Sequence, residues 1–168
     1  MSEVEIFSAE VCPYAQRTRM VLIEKGADFT LREVDLANKP DWFLEVSPYA
    51  KVPVIRHQGR VVYESAIINE YLDEVYPEPP MMPEAPGARA TVRIWIDFMN
   101  MKLLPCFYRL LMAQEPEKQA QEAETLTAHF RLVETAVRDE GSGPYLFGAR
   151  LSLADLSLYP WFERLPAL

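Results

Sequence analysis

The stretch Tyr76-Pro77-Glu78-Pro79-Pro80-Met81-Met82-Pro83-Glu84-Ala85-Pro86-Gly87 constrains this chain more than any other segment. Each proline fixes its own φ, withdraws a backbone donor and biases the residue before it away from the helical region. With five prolines in twelve residues, neither a helix nor a strand of ordinary length runs through. A sequence of 168 residues is therefore divided there, and its two sides differ in kind. Before the break, short β-branched runs alternate with short helical patterns, whereas after it long helical periods dominate. The expected organisation is an α/β domain over 1–76, a linker over 77–87 and an all-helical domain over 88–168.

In the first part, Val4 to Phe7 reads as a strand and Pro13 to Lys25 as a helix, with Gly26 placed to end it in a left-handed conformation. Phe29 to Val34 suggests a second strand and Lys39 to Val46 a short helix. Val54 to Arg56 and Arg60 to Tyr63 flank His57-Gln58-Gly59, a compact hairpin signal. Ile68, Tyr71, Leu72 and Val75 then fall at helical spacing. The order β-α-β-α-β-β-α suits a small mixed sheet, with a parallel opening pair and an antiparallel hairpin at its edge. In the second part, helices are expected over Ala88 to Met112, Pro116 to Asp139 and from Ser152 onward. Pro105 should kink the first of these. Met99, Met101 and Met112, with Phe98, Phe107 and Tyr108, read as core at helical spacing. The glutamates from Glu115 to Glu124 read as a solvated helix face.

A net charge of −8 argues against nucleic acid or an anionic membrane as partner. No apolar run approaches the roughly 20 residues of a spanning helix. The acidic start Met1 to Glu10 lacks the pattern of a signal peptide, and two cysteines make no disulfide framework. The expected setting is a reducing cytoplasm. His57 and His129 make no ligand pattern with Cys12 or Cys106, so no metal site is expected.

The strongest chemical signal is Val11-Cys12-Pro13-Tyr14-Ala15-Gln16-Arg17, directly after the first strand. Proline favours the first position of a helix, which puts Cys12 at the N-cap, where backbone N–H groups and the helix dipole favour an anion. A free thiol ionises near pH 8.5 and is about 3% thiolate at neutral pH, whereas a helix N-terminus can bring ionisation down to roughly 3.5–7.5. With Ala15 where a second cysteine would complete Cys-x-x-Cys, an outside thiol must resolve any mixed disulfide. Cys106, beside Pro105, reads as a buried filler.

Two weaker signals follow. Val52-Pro53 stands directly before a strand, where the local sequence alone favours an ordinary trans proline, since only about 5–6% of X–Pro bonds are cis. Glu64-Ser65 closes the hairpin and opens a helix. Ser65 is expected at its N-cap, and its hydroxyl with nearby N–H groups suits a carboxylate, while Glu64 suits an ammonium group. Ser152-Leu153-Ala154-Asp155 reads as a capping box.

Cys12-Pro13-Tyr14-Ala15, Lys51-Val52-Pro53-Val54 and Tyr63-Glu64-Ser65-Ala66-Ile67 together resemble the N-terminal domain of glutathione transferases. Asn38 to Phe43, Tyr71 to Pro77 and Pro160 to Leu165 are similar to the omega class in particular. The resemblance covers nearly the whole chain. It implies a thioredoxin-like domain followed by a helical domain, and glutathione as co-substrate. Cys12 would be the nucleophile, with Pro13 and Tyr14 beside it. Val52, ahead of a cis Pro53, would meet the cysteinyl part of glutathione, Glu64 and Ser65 the γ-glutamyl end, and Lys39 the glycyl carboxylate. A cysteine at this place implies thiol transfer and reduction, with deglutathionylation or dehydroascorbate-type reduction of a small electrophilic, oxidised or glutathionylated acceptor. Alternatives are a conjugating transferase, or a non-catalytic binding protein of the stringent starvation protein A type. The resemblance also implies a homodimer. Relatives continue through further helices past Leu168, so a truncated helical domain is expected.

Overall fold

A computed structural model describes residues 3–140 and 143–168. It contains two compact units, Met1–Pro80 and Met81–Leu168, which meet inside the proline-rich stretch.

The first unit runs β1 (Val4–Ser8), α1 (Pro13–Glu24), β2 (Phe29–Glu33), α2 (Asp41–Val46), β3 (Val54–His57), β4 (Arg60–Tyr63) and α3 (Ser65–Val75). The sheet order is β2-β1-β3-β4. β1 pairs parallel with β2, from Val4 opposite Phe29 to Ser8 opposite Glu33, and antiparallel with β3, which forms the hairpin with β4. This is the thioredoxin-like arrangement. The apolar residues sort the strands: Val4, Ile6, Phe7, Val54 and Ile55 make β1 and β3 the buried centre, whereas β2 and β4 are exposed edges. Glu5 on β1 ties both neighbouring strands, accepting from Arg32 at 2.8 Å and Arg56 at 3.1 Å. The hairpin turn places Gln58 and Gly59 at φ 50° and 79°. Positive φ at both central residues is the mirror-image turn whose twist suits a hairpin.

α1 ends in a Schellman motif: Gly26, at φ 60°, donates to Ile23 O and Ala27 donates to Leu22 O. Its face against α3 is polar as well as apolar. Arg17 meets Ser65, Thr18 Oγ1 donates to Asn69 Oδ1 at 2.8 Å, and Lys25 Nζ meets Asp73 at 2.6 Å. Ser65, Asn69 and Asp73 are all buried and recur every fourth residue along α3. Lys25 Nζ also donates to Pro79 O, which fastens the start of the linker to the same unit.

The helical unit holds α4 (Pro86–Phe98), α5 (Leu104–Met112), α6 (Pro116–Glu140) and α7 (Leu153–Phe162). Between α4 and α5, Met99–Leu103 is a π-helical segment, in which Leu104 N donates to Met99 O. The interruption expected at Pro105 thus takes the form of a widened turn. Pro105 has no N–H and its ring crowds the carbonyl four residues back, and a π turn relieves both. Met99 and Phe107 are buried as expected, but Met101 and Met112 are 65% and 69% exposed, which corrects their reading as core. α7 is buried on most sides, with Leu153, Ala154, Leu156, Leu158 and Trp161 nearly inaccessible. Its capping box is formed: Ser152 Oγ accepts from Asp155 N at 3.5 Å, and Asp155 Oδ2 accepts from Ser152 N at 2.8 Å. The other oxygen, Asp155 Oδ1, holds Leu146 N at 2.7 Å. No helix among the described residues is long and apolar enough to cross a membrane.

Candidate functional site

The site residues named from sequence lie in the first unit, and the turn from β1 into α1 positions the foremost of them. Cys12 N donates to Ala9 O at 3.0 Å and Gln16 N to Cys12 O at 2.9 Å, so the turn closes directly onto the helix. Arg19 braces it from about two turns along α1: Nη1 donates to Ser8 Oγ and to Ala9 O at 3.0 Å, and Nη2 to Glu10 O at 3.2 Å. Glu10 N is held in turn by Glu33 at the end of β2. Cys12 occupies the N-cap with extended backbone (φ −83°, ψ 115°), Pro13 follows at the first helical position, and the first turn holds no acidic residue. The positive end of the helix dipole is therefore not neutralised locally.

The Cys12 side chain does not cap its own helix. It is half-buried against a cluster of Phe7, Ala9, Ala15, Val34, Phe43, Val52 and Val54, with Sγ 3.9 Å from Val52 O. Val52 stands where it does because the preceding loop is clamped: Ser47 Oγ donates to Lys51 O and accepts from Lys51 N. The Val52–Pro53 peptide is cis, as the family resemblance implied and the local sequence did not. Glu78–Pro79 is cis as well, which no sequence signal indicated.

At the head of α3 the structure corrects the expected cap. Glu64, not Ser65, is the N-cap, and it makes no side-chain capping bond, while Ser65 is the first helical residue. Glu64 takes φ 66°, a left-handed value that side-chain-bearing residues rarely adopt, and its side chain is exposed. The tight exit from β4 uses the residue before Ser65 to turn the chain, so capping falls to Glu64 and frees the Ser65 hydroxyl for another partner. That partner is Arg17, whose Nε and Nη2 donate to Ser65 Oγ at 2.9 and 2.6 Å.

Arg17 is the residue the sequence reading passed over. It is 2% exposed, lies 5.2 Å from the Tyr14 ring centre and sits within electrostatic reach of Tyr14, Cys12 and Glu64. Burial brings its pKa down to about 10, while those three neighbours act in the opposite direction, so it remains a cation at neutral pH. Tyr14 is itself held above the usual phenol range, mainly by burial. The available signal was periodicity: Arg17 lies four residues before Val21, on a face that also buries Thr18. Lys39 is half-buried in the loop ahead of α2. Among the described residues no cluster of three or more histidine, cysteine or acidic side chains could hold a metal.

A cysteine at a helix start, beside a cis-proline loop and a second helix start backed by arginine, is suited to a peptide-like thiol carrying carboxylates. Comparison with known proteins names the family of the chain. The model of the glutathione S-transferase N-terminal domain matches residues 11–75, and that of the C-terminal domain matches residues 115–167. Glutathione S-transferase omega-1 of Sus scrofa is 35% identical over 98% of this chain and 68% of its own length. This chain belongs to the glutathione S-transferase family. Among solved structures, glutathione transferase Omega 3C from Trametes versicolor superposes with a TM-score of 0.90 at 36% identity, covering 98% of this chain and 73% of that one. The rice transferase OsGSTU1, solved in complex with glutathione, gives 0.87 at 34% identity, covering 99% and 76%. Both halves of this transferase, α/β and helical, therefore have the fold its sequence implied.

Proposed function

We propose that this transferase is a glutathione-dependent thiol transferase in which Cys12 is the nucleophile. The observation that carries the reading is the placement of Cys12: half-exposed, at an unneutralised helix start, with its sulfur directed at the loop of Val52 and Pro53. The attacking form of a cysteine is its thiolate.

On a glutathionylated acceptor, the Cys12 sulfur attacks the glutathione sulfur. A Cys12–glutathione disulfide forms, the acceptor disulfide breaks, and the acceptor thiolate leaves to take a proton from water. A second glutathione, as its thiolate, then attacks the same glutathione sulfur. Oxidised glutathione departs and Cys12 is restored. Val52 would meet the cysteinyl portion of the bound tripeptide, Glu64 and Ser65 the γ-glutamyl ammonium and carboxylate, and Lys39 the glycyl carboxylate. Ala15 leaves Cys12 without a resolving cysteine in its own helix, so glutathione itself must do the resolving. We further infer a homodimer acting in a reducing cytoplasm, in keeping with two free cysteines.

The test is the Cys12→Ser protein, assayed for both thiol transfer and glutathione conjugation. Thiol transfer should fall at least about a hundredfold, because a hydroxyl forms no mixed disulfide. Undiminished transfer would refute the reading. Conjugation that rises while transfer was never present would assign the site to the conjugating branch of the family.

A further inference from the structure

Cys12 owes its place to the turn over 9–12, which its own N–H closes by donating to Ala9 O at 3.0 Å. That bond alone is a weak hold, since roughly a third to a half of turns of this span lack it. Two charged side chains add to it. Arg19 Nη1 donates to the same Ala9 O at 3.0 Å, and Nη2 donates to Glu10 O, the carbonyl of the turn's central peptide, at 3.2 Å. Nη1 also donates to Ser8 Oγ on β1, which is fully buried, so the fork is anchored on the sheet. From the other side, Glu33 Oε1 accepts from Glu10 N at 2.6 Å. Glu33 stands there because β2 pairs parallel with β1 and places it opposite Ser8. The peptide joining Ala9 to Glu10 is therefore held at both ends, its oxygen by a cation and its N–H by an anion. Arginine suits this task better than lysine, because its planar fork reaches two carbonyls and a hydroxyl at once.

We propose that Arg19 is a positioning residue for the Cys12 sulfur, which with Glu33 locks the turn over 9–12 and so fixes the line along which that sulfur attacks a disulfide. The proposal rests on the reading of Cys12 as nucleophile and deepens it. Arg19 acts through the turn and not on the ligand. Its bonds hold the backbone that carries Cys12, while Sγ lies 3.9 Å from Val52 O across the site. A displacement of about 1 Å at a reacting atom can slow a reaction about a hundredfold.

The experiment uses Arg19→Met in a Cys106→Ser background and compares two reactions of Cys12 at one pH. In the first, the Cys12 sulfur attacks one sulfur of oxidised glutathione, the S–S bond breaks, and one glutathione leaves as its thiolate. In the second, iodoacetamide alkylates Cys12, which requires a thiolate and access but no bound partner held in line. Arg19→Met should slow the exchange roughly tenfold to a hundredfold, and the alkylation by no more than about threefold. Binding of S-methylglutathione, which has no free thiol, should stay within about twofold by calorimetry. Arg19→Lys should recover part of the exchange rate, because an ammonium still reaches a carbonyl. With Glu33→Ala, which releases the same peptide from its other end, the losses should be less than additive. Unchanged exchange, equal slowing of both reactions, a loss of S-methylglutathione binding as large as the loss of rate, or full additivity would each overturn the proposal. If Arg19→Met does not fold, Arg19→Lys is carried through the same comparison. Failure of both to fold would assign Arg19 to stability alone and overturn the positioning role. A Cys106→Ser protein that keeps Arg19 and takes no glutathionyl group on Cys12 refutes the functional reading itself. If that protein is modified, and its Arg19 variants are modified equally fast, only the role of Arg19 is refuted.

Discussion

Cys12 and Cys106 each stand beside a proline near the start of a helix, Cys12-Pro13 opening α1 and Pro105-Cys106 at the head of α5. Their surroundings differ in almost every respect that matters for a thiol. α1 begins at Pro13, directly after Cys12, which is itself extended, whereas α5 continues directly from the π segment, with Leu104 N already bonded to Met99 O. Cys12 is half-buried and touches a backbone carbonyl at 3.9 Å, whereas Cys106 is fully inaccessible and lies 3.5 Å from both the carbonyl and the carboxylate of Glu122. Burial first, and Glu122 second, hold the Cys106 thiol above its ordinary range. Proline next to cysteine therefore fixes neither the exposure of the thiol nor a fresh helix start.

The largest expected effect that could break this contrast is in alkylation. With iodoacetamide at neutral pH, the Cys106→Ser protein should react at Cys12 at least about a hundredfold faster than the Cys12→Ser protein reacts at Cys106. The sign follows from linkage: a thiol whose pKa is raised stays protonated through neutral pH, so Cys106 should gain rate only above the usual thiol range. In denaturant both should converge. Equal rates in the folded state would end the comparison. A smaller and purely structural effect is expected at Ser152→Ala. Loss of the capping box at α7 should lower stability by about 1 kcal/mol in chemical denaturation and leave Cys12 alkylation unchanged. A slower Cys12 in that protein would mean that reactivity depends on the helical unit and not on the local helix start.

Features set by short-range chemistry were legible in the sequence. Pro13 after Cys12 marked a helix start, His57-Gln58-Gly59 marked the hairpin, and Ser152 with Asp155 marked the cap, because in each case a few adjacent residues determine the backbone. Features set by which face of a helix is covered were not. Met101 and Met112 stand roughly 200° and 220° round a helix from Met99, so grouping all three as core went against their spacing. On α3 the apolar spacing found Ile68 and Leu72 but missed Ser65, Asn69 and Asp73, which are buried because Arg17, Thr18 and Lys25 meet them. A buried polar residue is recognised by its partner, and these partners lie 48 to 51 residues away. The misplaced cap at Ser65 has the same origin, since its hydroxyl is claimed by Arg17.

The central claim is that the sulfur of Cys12, and not that of Cys106, takes part in disulfide chemistry with glutathione. Its most direct test is intact-protein and peptide mass spectrometry after brief exposure of the native protein to oxidised glutathione at neutral pH. The account predicts a single glutathionyl adduct, located on Cys12 and removed by reduced glutathione. No adduct, or an adduct shared equally with Cys106, would contradict it.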